Sequence, residues 1–397
     1  MDAQATDGLL RFFRSMQDPR AANARHSFSD ILTIAILAVL CGSDSWEAVQ
    51  TWGCGNAQWL EELLDLPHGI PSHDTFDRVF GMLDPLGFEG CFTNWTRTLI
   101  DSSEGLFVGV DGKTLRRSFK RAWSKTPVHL VSAFVSSNQL VLGQLATDAK
   151  SNEITAIPKL LAMLELTGAT VTIDAMGCQK QIAQQIKEQK AHYILAVKDN
   201  QPTLHEKVGG LLDEAILDGF KDVAHGYFEK TEQGHGRIEK RRVWVSTDLV
   251  KSLGAELLSQ WPGLASVAVV ESTRQDLGDL SGKISVERRY FISSHDKADA
   301  DLFARAIREH WGIENQLHDS TELVEVWRLD VSMNEDQCRL RKGSGAENFS
   351  RLRRIALNKL KRWEMKKANG KVRKLSLRLK QKACGWSRKF LIEALLA

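Results

Sequence analysis

Two aspartates and a glutamate stand where oxygen ligands for a divalent metal ion could converge. Asp111 follows an apolar run at residues 107–110, and Asp174 follows a second run at residues 170–173. Each run is typical of a short buried β-strand, and an acid at the end of such a strand is fixed by the sheet but exposed at its rim. Glu314 lies on a segment with helical periodicity. Three such carboxylates could hold a divalent cation over a phosphate.

Each acid also has a purely structural interpretation. Asp111 precedes a glycine, which is typical of a turn, and Asp174 could cap a helix that follows it. Glu314 shares one helix face with His310 and His318, four residues away on either side, so a zinc site is an alternative. The nearby cysteines do not complete a zinc ligand set, which disfavours zinc.

The segments around these acids predict an α/β fold. Between residues 106 and 224, β-type runs first form a hairpin and then alternate with amphipathic helices, which indicates a mixed sheet covered by helices. Further β-type runs at residues 225–298 are expected to form an insertion before the third acid. Residues 299–338 are then expected to carry that acid on a helix of the core.

Helical segments are predicted on both sides of this core. Residues 1–105 show helix-face spacing with Gly and Pro turns, which suits a small DNA-binding domain or a helical support domain. Residues 339–397 form a basic region, in which nineteen Lys or Arg face two Glu between Arg339 and Lys389. Leu and Trp alternate with these cations, and we therefore expect a helical arm that contacts nucleic acid.

Composition and charge are ordinary for a globular protein. The chain has 397 residues, 43% hydrophobic and 26% charged, and a net charge of +3, so several domains are expected and the overall charge names no partner. Its six cysteines are scattered, which is typical of reduced thiols in the cytosol. The longest apolar run, at residues 31–40, is too short to cross a bilayer, and the N-terminus lacks a signal pattern. We expect a cytoplasmic protein with no membrane partner.

Six motifs, in this order, resemble those of one family. The chain resembles the DDE-class insertion-sequence transposases, in particular the group that includes the H-repeat-associated proteins, over nearly its whole length. The motifs are Gly69-Ile70-Pro71-Ser72-His73-Asp74-Thr75-Phe76, Val110-Asp111-Gly112-Lys113, Ile173-Asp174-Ala175-Met176-Gly177-Cys178-Gln179, Gly234-His235-Gly236-Arg237-Ile238-Glu239, residues 310–318 and residues 327–336.

This resemblance implies a ribonuclease H-like core in which Asp111, Asp174 and Glu314 are the catalytic and metal-binding triad. Two Mg²⁺ (or Mn²⁺) ions would be the cofactor, because oxygen-only ligands favour these metals over zinc. Double-stranded DNA, as the terminal repeats of the element and the target, would be the partner. A homodimer is expected in the active complex, and binding to DNA would place the protein on the bacterial nucleoid.

Other polar residues are expected to contact DNA through its phosphates. In related transposases a tyrosine, an arginine and a lysine surround the third acid, and Ile307, His310 and Thr321 stand at those positions here. Surface charge without a DNA contact is an alternative for the cations that follow Asp111. The expected DNA-binding residues are Lys113, Arg116, Arg117, Lys198, His235, Arg237 and His310.

Residues 319–326 look like an eight-residue insertion. In the family, the tryptophan equivalent to Trp327 directly follows the histidine equivalent to His318. If helical, eight residues would add about 12 Å of rise and rotate the following segment by roughly 80° beyond two turns; a loop could be harmless. Three functions are therefore considered: a transposase, a catalytically retired DNA-binding relative, and a nuclease without strand transfer.

Overall fold

The described part of the chain consists of most of the sequence. The computed structural model describes residues 8–22, 24–115, 118, 127–147, 153–234, 236–277, 284–312, 329–366 and 370–397. The segment 319–326, read from sequence as an insertion, lies outside these ranges.

A mixed β-sheet forms the centre of the described structure. Its strands are β1 Phe107–Thr114, β2 His129–Val135, β3 Leu140–Thr147, β4 Thr170–Ile173, β5 His192–Val197, β6 Gly226–Gly234, β7 Arg237–Ser246, β8 Ser266–Asp276 and β9 Ile284–Ser293. Their order across the sheet is β3-β2-β1-β4-β5-β9-β8-β7-β6. β1 pairs antiparallel with β2 and parallel with β4, and β4 pairs parallel with β5. This is a mixed sheet, as the order of β-type runs and helices predicted.

The β-rich insertion extends this sheet and does not form a separate layer. β9 pairs antiparallel with β5 through Ile194↔Ser293 to Val197↔Tyr290. β8, β7 and β6 then follow in antiparallel order. An unpaired strand edge leaves backbone N–H and C=O groups without partners. Pairing with β9 supplies those partners along the outer side of β5.

Helices surround this sheet, and several begin at a capping side chain. Ser72 caps the helix His73–Met82 and accepts a hydrogen bond from the Thr75 amide at 3.3 Å, as Ser and Thr side chains do at helix N-termini. The helices are α1 Phe28–Leu40, α2 Trp46–Gly55, α3 Ala57–Glu61, α4 His73–Met82, α5 Pro85–Arg97, α6 Glu153–Ala162, α7 Lys180–Glu188, α8 Pro202–Leu217, α9 Ala255–Gln260, α10 Ala300–Gly312, α11 Leu329–Met333, α12 Gly345–Arg362, α13 Leu377–Trp386 and α14 Arg388–Leu396. Among the described helices, none combines the length and apolarity needed to cross a bilayer.

Helices cover both faces of the sheet. α6, α7 and α8 pack on one face through side chains such as Leu160, Ile186 and Val208. α10 packs on the opposite face through Phe303 and Ile307. Strands covered on both sides read as continuous apolar runs, and every residue of β2 is buried.

The N-terminal and C-terminal helices share one apolar core. α1 to α5 pack with α12, α13 and α14 in a single cluster of buried side chains. This helical unit also covers the outer edge of β3. The Asn358 side chain of α12 donates to the carbonyl of Val141 at 2.8 Å and accepts from its amide at 3.0 Å. The edge strand is thereby shielded from pairing with another chain.

The first part of the basic region is core, which differs from the expected exposed arm. Arg351, Arg353 and Arg354 of α12 are at most 1% exposed. Arg351 bonds Glu89 at 2.5 Å, and Arg354 bonds Glu335 at 2.7 Å. Buried glutamates neutralise Arg351 and Arg354, and Arg353 donates to the Met333 carbonyl at 3.1 Å. A count of basic residues could not reveal that these side chains face inward.

Candidate active site

Asp111 and Asp174 lie at neighbouring positions on adjacent parallel strands. Val110 of β1 is in register with Ile173 of β4, so the two acids are the next residues along each chain. Adjacent strands lie about 5 Å apart. Both acids are half-buried. The structure therefore brings together the two aspartates that the sequence singled out.

The alternation of side chains places both acids on the face covered by α10. The two valines of β1 belong to the core under α6 to α8. Gly109 lies under α10, because a Cβ there would be 3.6 Å from the His310 ring. Asp111 is two residues beyond Gly109, and Asp174 is two residues beyond Thr172, which also contacts His310. Residues two apart share a face of a strand.

Asp111 and Gly112 belong to a strand and do not form a turn, so the alternative interpretation of this pair as a turn was wrong. β1 continues to Thr114. A Cβ at Gly112 would lie 2.3 Å from Glu153 Oε1 and 2.5 Å from His129 Nε2. Those two side chains are buried and bonded to each other at 2.5 Å. The glycine is therefore required by the close approach of this pair from the side opposite Asp111.

Asp174 begins a short, well-tied loop. Its side chain accepts a hydrogen bond from the Gly177 amide at 3.3 Å and so caps the 3-10 helix Ala175–Gly177. The loop that follows β5 is bonded to this one, since the side-chain amide of Asn200 donates to the Ala175 carbonyl at 2.6 Å. Lys198 is exposed in the same loop, at the carboxyl edge of the sheet. The cap occupies one oxygen of Asp174 and fixes where the carboxylate stands.

His310 lies between α10 and the strands that carry the aspartates. Its Nδ1 forms a 3.1 Å hydrogen bond with Thr172 Oγ1. Burial lowers the pKa of His310 to about 4, and the hydrogen bond with Thr172 opposes this only in part. The ring is therefore neutral near pH 7 and brings no positive charge to a phosphate. It does fix α10 against Gly109 and Thr172.

The third acid of the predicted triad is not among the described residues. α10 ends at Gly312, and Glu314 and His318 lie outside the described ranges. Among the residues that the structure does describe, no group of three His, Cys, Asp or Glu could hold a metal ion. The structure thus places two members of the predicted triad.

Lys113 is buried and ion-paired. Its side chain is 9% exposed, and its Nζ lies 3.5 Å from Glu335 Oε2 and 3.9 Å from Asp336 Oδ1. Glu335 is fully buried, and its other oxygen accepts from Arg354 and from Ser350, each at 2.7 Å. The ammonium therefore faces carboxylates inside the protein and not a surface where DNA could reach it.

Opposing effects act on Glu335. Burial alone would raise the pKa of this carboxyl, but the positive charges of Arg354 and Lys113 outweigh burial and hold the pKa well below its usual range. Glu335 is therefore charged and joins the helical unit to β1. Sequence patterns assigned Glu335 no role, although it lies in a motif of the resemblance, because nothing in the local sequence shows which cation it contacts.

The other expected DNA-binding residues are only partly described. Arg237 is the first residue of β7. Val243 of the same strand packs under α10, and because side chains an even number of residues apart share a face, Arg237 lies on the same face of the sheet as Asp111. Arg116, Arg117 and His235 lie outside the described residues.

Comparison with known proteins finds relatives over most of the chain. A family model described as "Transposase DDE domain" matches residues 102–359, and one described as "DDE_Tnp_1-associated" matches residues 10–96. A protein of Escherichia coli (strain K12) named "H repeat-associated putative transposase YhhI" is 39% identical over 93% of this chain and 92% of its own length. Another, of Escherichia coli O157:H7 and named "Putative transposase YncI", is 42% identical over 89% of this chain and 87% of its own length.

One solved structure also aligns with this chain. It is described as a piggyBac transposase synaptic complex with hairpin DNA, and the alignment covers 98% of this chain and 75% of that one at 11% identity. Its TM-score of 0.36 is too low to support an argument about fold or partner.

Proposed function

This chain belongs to the DDE transposase family, and we propose that it cuts DNA at the ends of an insertion sequence and joins those ends to target DNA, using Asp111, Asp174 and Glu314. The placement of Asp111 and Asp174 at successive register positions of β1 and β4 carries this proposal. Two acids that are 63 residues apart in the sequence meet at one sheet edge. A structural role for each alone would not require that meeting.

The donor set fits Mg²⁺ or Mn²⁺. Asp111 and Asp174 offer carboxylate oxygens that are half-buried and held by strands. Hard divalent cations prefer such ligands, whereas zinc prefers nitrogen and sulfur. With Glu314 as the third ligand, the site would hold two ions. When bound, such ions stabilise the attacking and leaving oxygens of a phosphodiester.

The chain itself holds these carboxylates in place from two directions. His310 fixes α10 on Gly109, two residues before Asp111. Lys113, two residues after Asp111, ties the strand to Glu335. A catalytic group must be held within a fraction of an ångström of its productive position. These contacts supply that rigidity for Asp111 in the described structure.

The same contacts bear on the segment 319–326. It lies between α10, whose His310 stands over Gly109 of β1 and bonds Thr172 of β4, and Glu335, which is tied to β1 through Lys113. The chain on either side is thus anchored to the strand of Asp111. This favours an active enzyme over a catalytically retired DNA-binding relative.

Duplex DNA is the proposed substrate and partner, with a homodimer in the active complex. Lys198 at the carboxyl edge and Arg237 on the α10 face are the described cations that we propose contact its phosphates. Arg116, Arg117 and His235 are proposed for the same role from the family resemblance. His310 would contact DNA only as a neutral hydrogen-bonding group. Lys113 is not proposed as a DNA contact, because its ammonium is ion-paired with Glu335 inside the protein.

Nicking of labelled DNA tests this proposal. The purified protein is incubated with Mn²⁺ or Mg²⁺ and a duplex that carries the terminal repeats of the encoding element. Asp111→Asn should reduce end-specific nicking more than about a hundred-fold, because metal ions supply several kcal/mol of transition-state stabilisation. DNA affinity should be retained.

Asp301→Asn is the matched control. Asp301 is an exposed aspartate of α10 that pairs with Arg305, and its loss should leave nicking unchanged. Full nicking by Asp111→Asn would refute the assignment. Nicking of any duplex without end preference would favour a nuclease, and binding without nicking by the wild type would favour the retired relative.

A further inference from the structure

A basic groove lies on the helical unit, away from the aspartates. It has a volume of about 530 Å³ and runs between α4 and the chain segment that precedes α1. We call it the arginine groove. It is lined by Arg20, Arg25, His26, Thr75, Arg78 and Met82, together with smaller side chains.

The groove is positively charged. None of the described residues that line it is acidic. Arg20 is matched by Asp18, which it contacts at 2.9 Å and 2.8 Å, and it also donates to the His26 carbonyl at 2.8 Å. Arg20 therefore holds the wall of the groove together and contributes little net charge to it.

Arg25 and Arg78 carry the net charge. Both are exposed, and within the described part of the chain neither forms an ion pair or a side-chain hydrogen bond. They belong to opposite walls, since Arg78 lies on α4 and Arg25 on the preceding segment. Two guanidinium groups without protein partners, facing one groove, are suited to bind phosphate oxygens.

Other groups at the groove add donors and an apolar surface. Thr75 and His26 offer a hydroxyl and a ring nitrogen. Burial and then the charges of His68, Arg20 and Arg25 lower the pKa of His26, which agrees with a positive surrounding. Met82, 47% exposed, provides apolar surface beside the arginines. A sugar–phosphate backbone has this combination of charged and apolar parts.

We infer that the arginine groove binds the phosphodiester backbone of duplex DNA outside the cleavage site. The inference rests on the proposed function, because it takes the DNA substrate as the ligand. It assigns a DNA-binding role to the motif at residues 69–76, because that motif contains the first turn of α4 and Thr75, which lines the groove. Free phosphate shares the same chemistry and is separated from DNA by the test.

Salt-dependent DNA binding tests the inference. Arg25→Ala combined with Arg78→Ala is compared with the wild type by fluorescence anisotropy of a labelled terminal-repeat duplex, with EDTA present so that no cleavage occurs. Binding should weaken at least about ten-fold at ~0.1 M salt, and the slope of log K against log salt should fall by about 2, since each phosphate contact contributes about 0.9. Nicking at saturating DNA should be unchanged.

Lys159→Ala combined with Lys251→Ala is the control of equal charge. Both lysines are exposed, and they lie on α6 and on the 3-10 helix Leu249–Leu253, on the face opposite α10. This variant should keep the wild-type slope. Equal melting temperatures would show that the groove variant is folded.

Several outcomes would overturn the inference. Unchanged affinity and slope in the groove variant, with wild-type binding intact, would refute it while leaving the proposed function standing. Absence of DNA binding by the wild type would refute it as well. If millimolar inorganic phosphate raises the melting temperature of the wild type and not of the variant, while DNA affinity is equal, the groove is a free-anion site. If the wild type binds DNA but does not nick it, and the salt slope of binding is still lower in the groove variant, the proposed function would be refuted and the inference about the groove would stand.

Discussion

Replacing Lys113 by methionine should separate a positioning role from a DNA contact. Methionine has similar length and no charge, so Glu335 would keep Arg354 and Ser350 but lose the cation at 3.5 Å. At that distance the direct attraction is about 5 kcal/mol for an effective dielectric constant of about 20. Relief of the desolvation cost of the ammonium offsets much of this. We expect a net loss of roughly 1–3 kcal/mol in the free energy of unfolding.

Three measurements show where that loss appears. Scanning calorimetry should record a melting temperature lower by a few degrees. The Mn²⁺ concentration required for half-maximal nicking should rise, because the end of β1 that carries Asp111 is less firmly held. The salt slope of DNA binding should not change, because the ammonium faces Glu335 and not solvent.

Two further variants sharpen the comparison. Lys159→Met removes an exposed lysine on α6 and should match the wild type in all three measurements. Lys113→Arg keeps the charge and should recover part of the Mn²⁺ response. A Lys113→Met protein with unchanged melting and a salt slope lower by about 1 would refute the reasoning, since that result is the signature of a phosphate contact.

Two other predictions concern the surroundings of the aspartates. Gly112→Ala should lower the melting temperature, at a cost of about 1–3 kcal/mol for overpacking, because the new Cβ would lie 2.3 Å from Glu153 Oε1; unchanged melting would contradict the described contact. Because the folded-state pKa of His310 is about 4 and its usual value is 6.5, the unfolded chain binds an additional proton between these values, and stability should fall by roughly 3 kcal/mol as the pH drops from 6.5 to 4. His310→Asn should show a smaller fall in urea titrations at each pH, whereas His225→Asn, at an exposed histidine, should follow the wild type.

The local elements were predictable because their causes are local. The strand at residues 170–173 occurs where its apolar run predicted it. Such runs reflect burial on both faces, which depends on each residue and its close neighbours in the chain. The N-terminal cap of α4 is local as well, since Ser72 accepts its hydrogen bond from the amide of Thr75, three residues on. The fold class followed from the order of these elements and from the family resemblance.

The candidate site was predictable in part. That Asp111 and Asp174 end two apolar runs is a property of the sequence, and the parallel pairing of β1 with β4 turns it into proximity. The burial of Lys113 was not predictable, because a lysine two residues after Asp111 is equally compatible with an exposed position on the surface. The role of Gly112 was missed as well, since a glycine after an aspartate is more common in turns.

Patterns along the chain were enough to predict the order of strands and helices and to mark Asp111 and Asp174 after apolar runs, although β1 itself continues past Asp111 to Thr114. Contacts between distant segments, which no local pattern shows, make residues 225–298 extend the core sheet and bring Lys113 to Glu335, 222 residues away. The same kind of contact places arginines of the basic region inside the helical unit. The physical reason is that a backbone element depends on nearby residues. The environment of a buried charge depends on whichever distant segments pack around it.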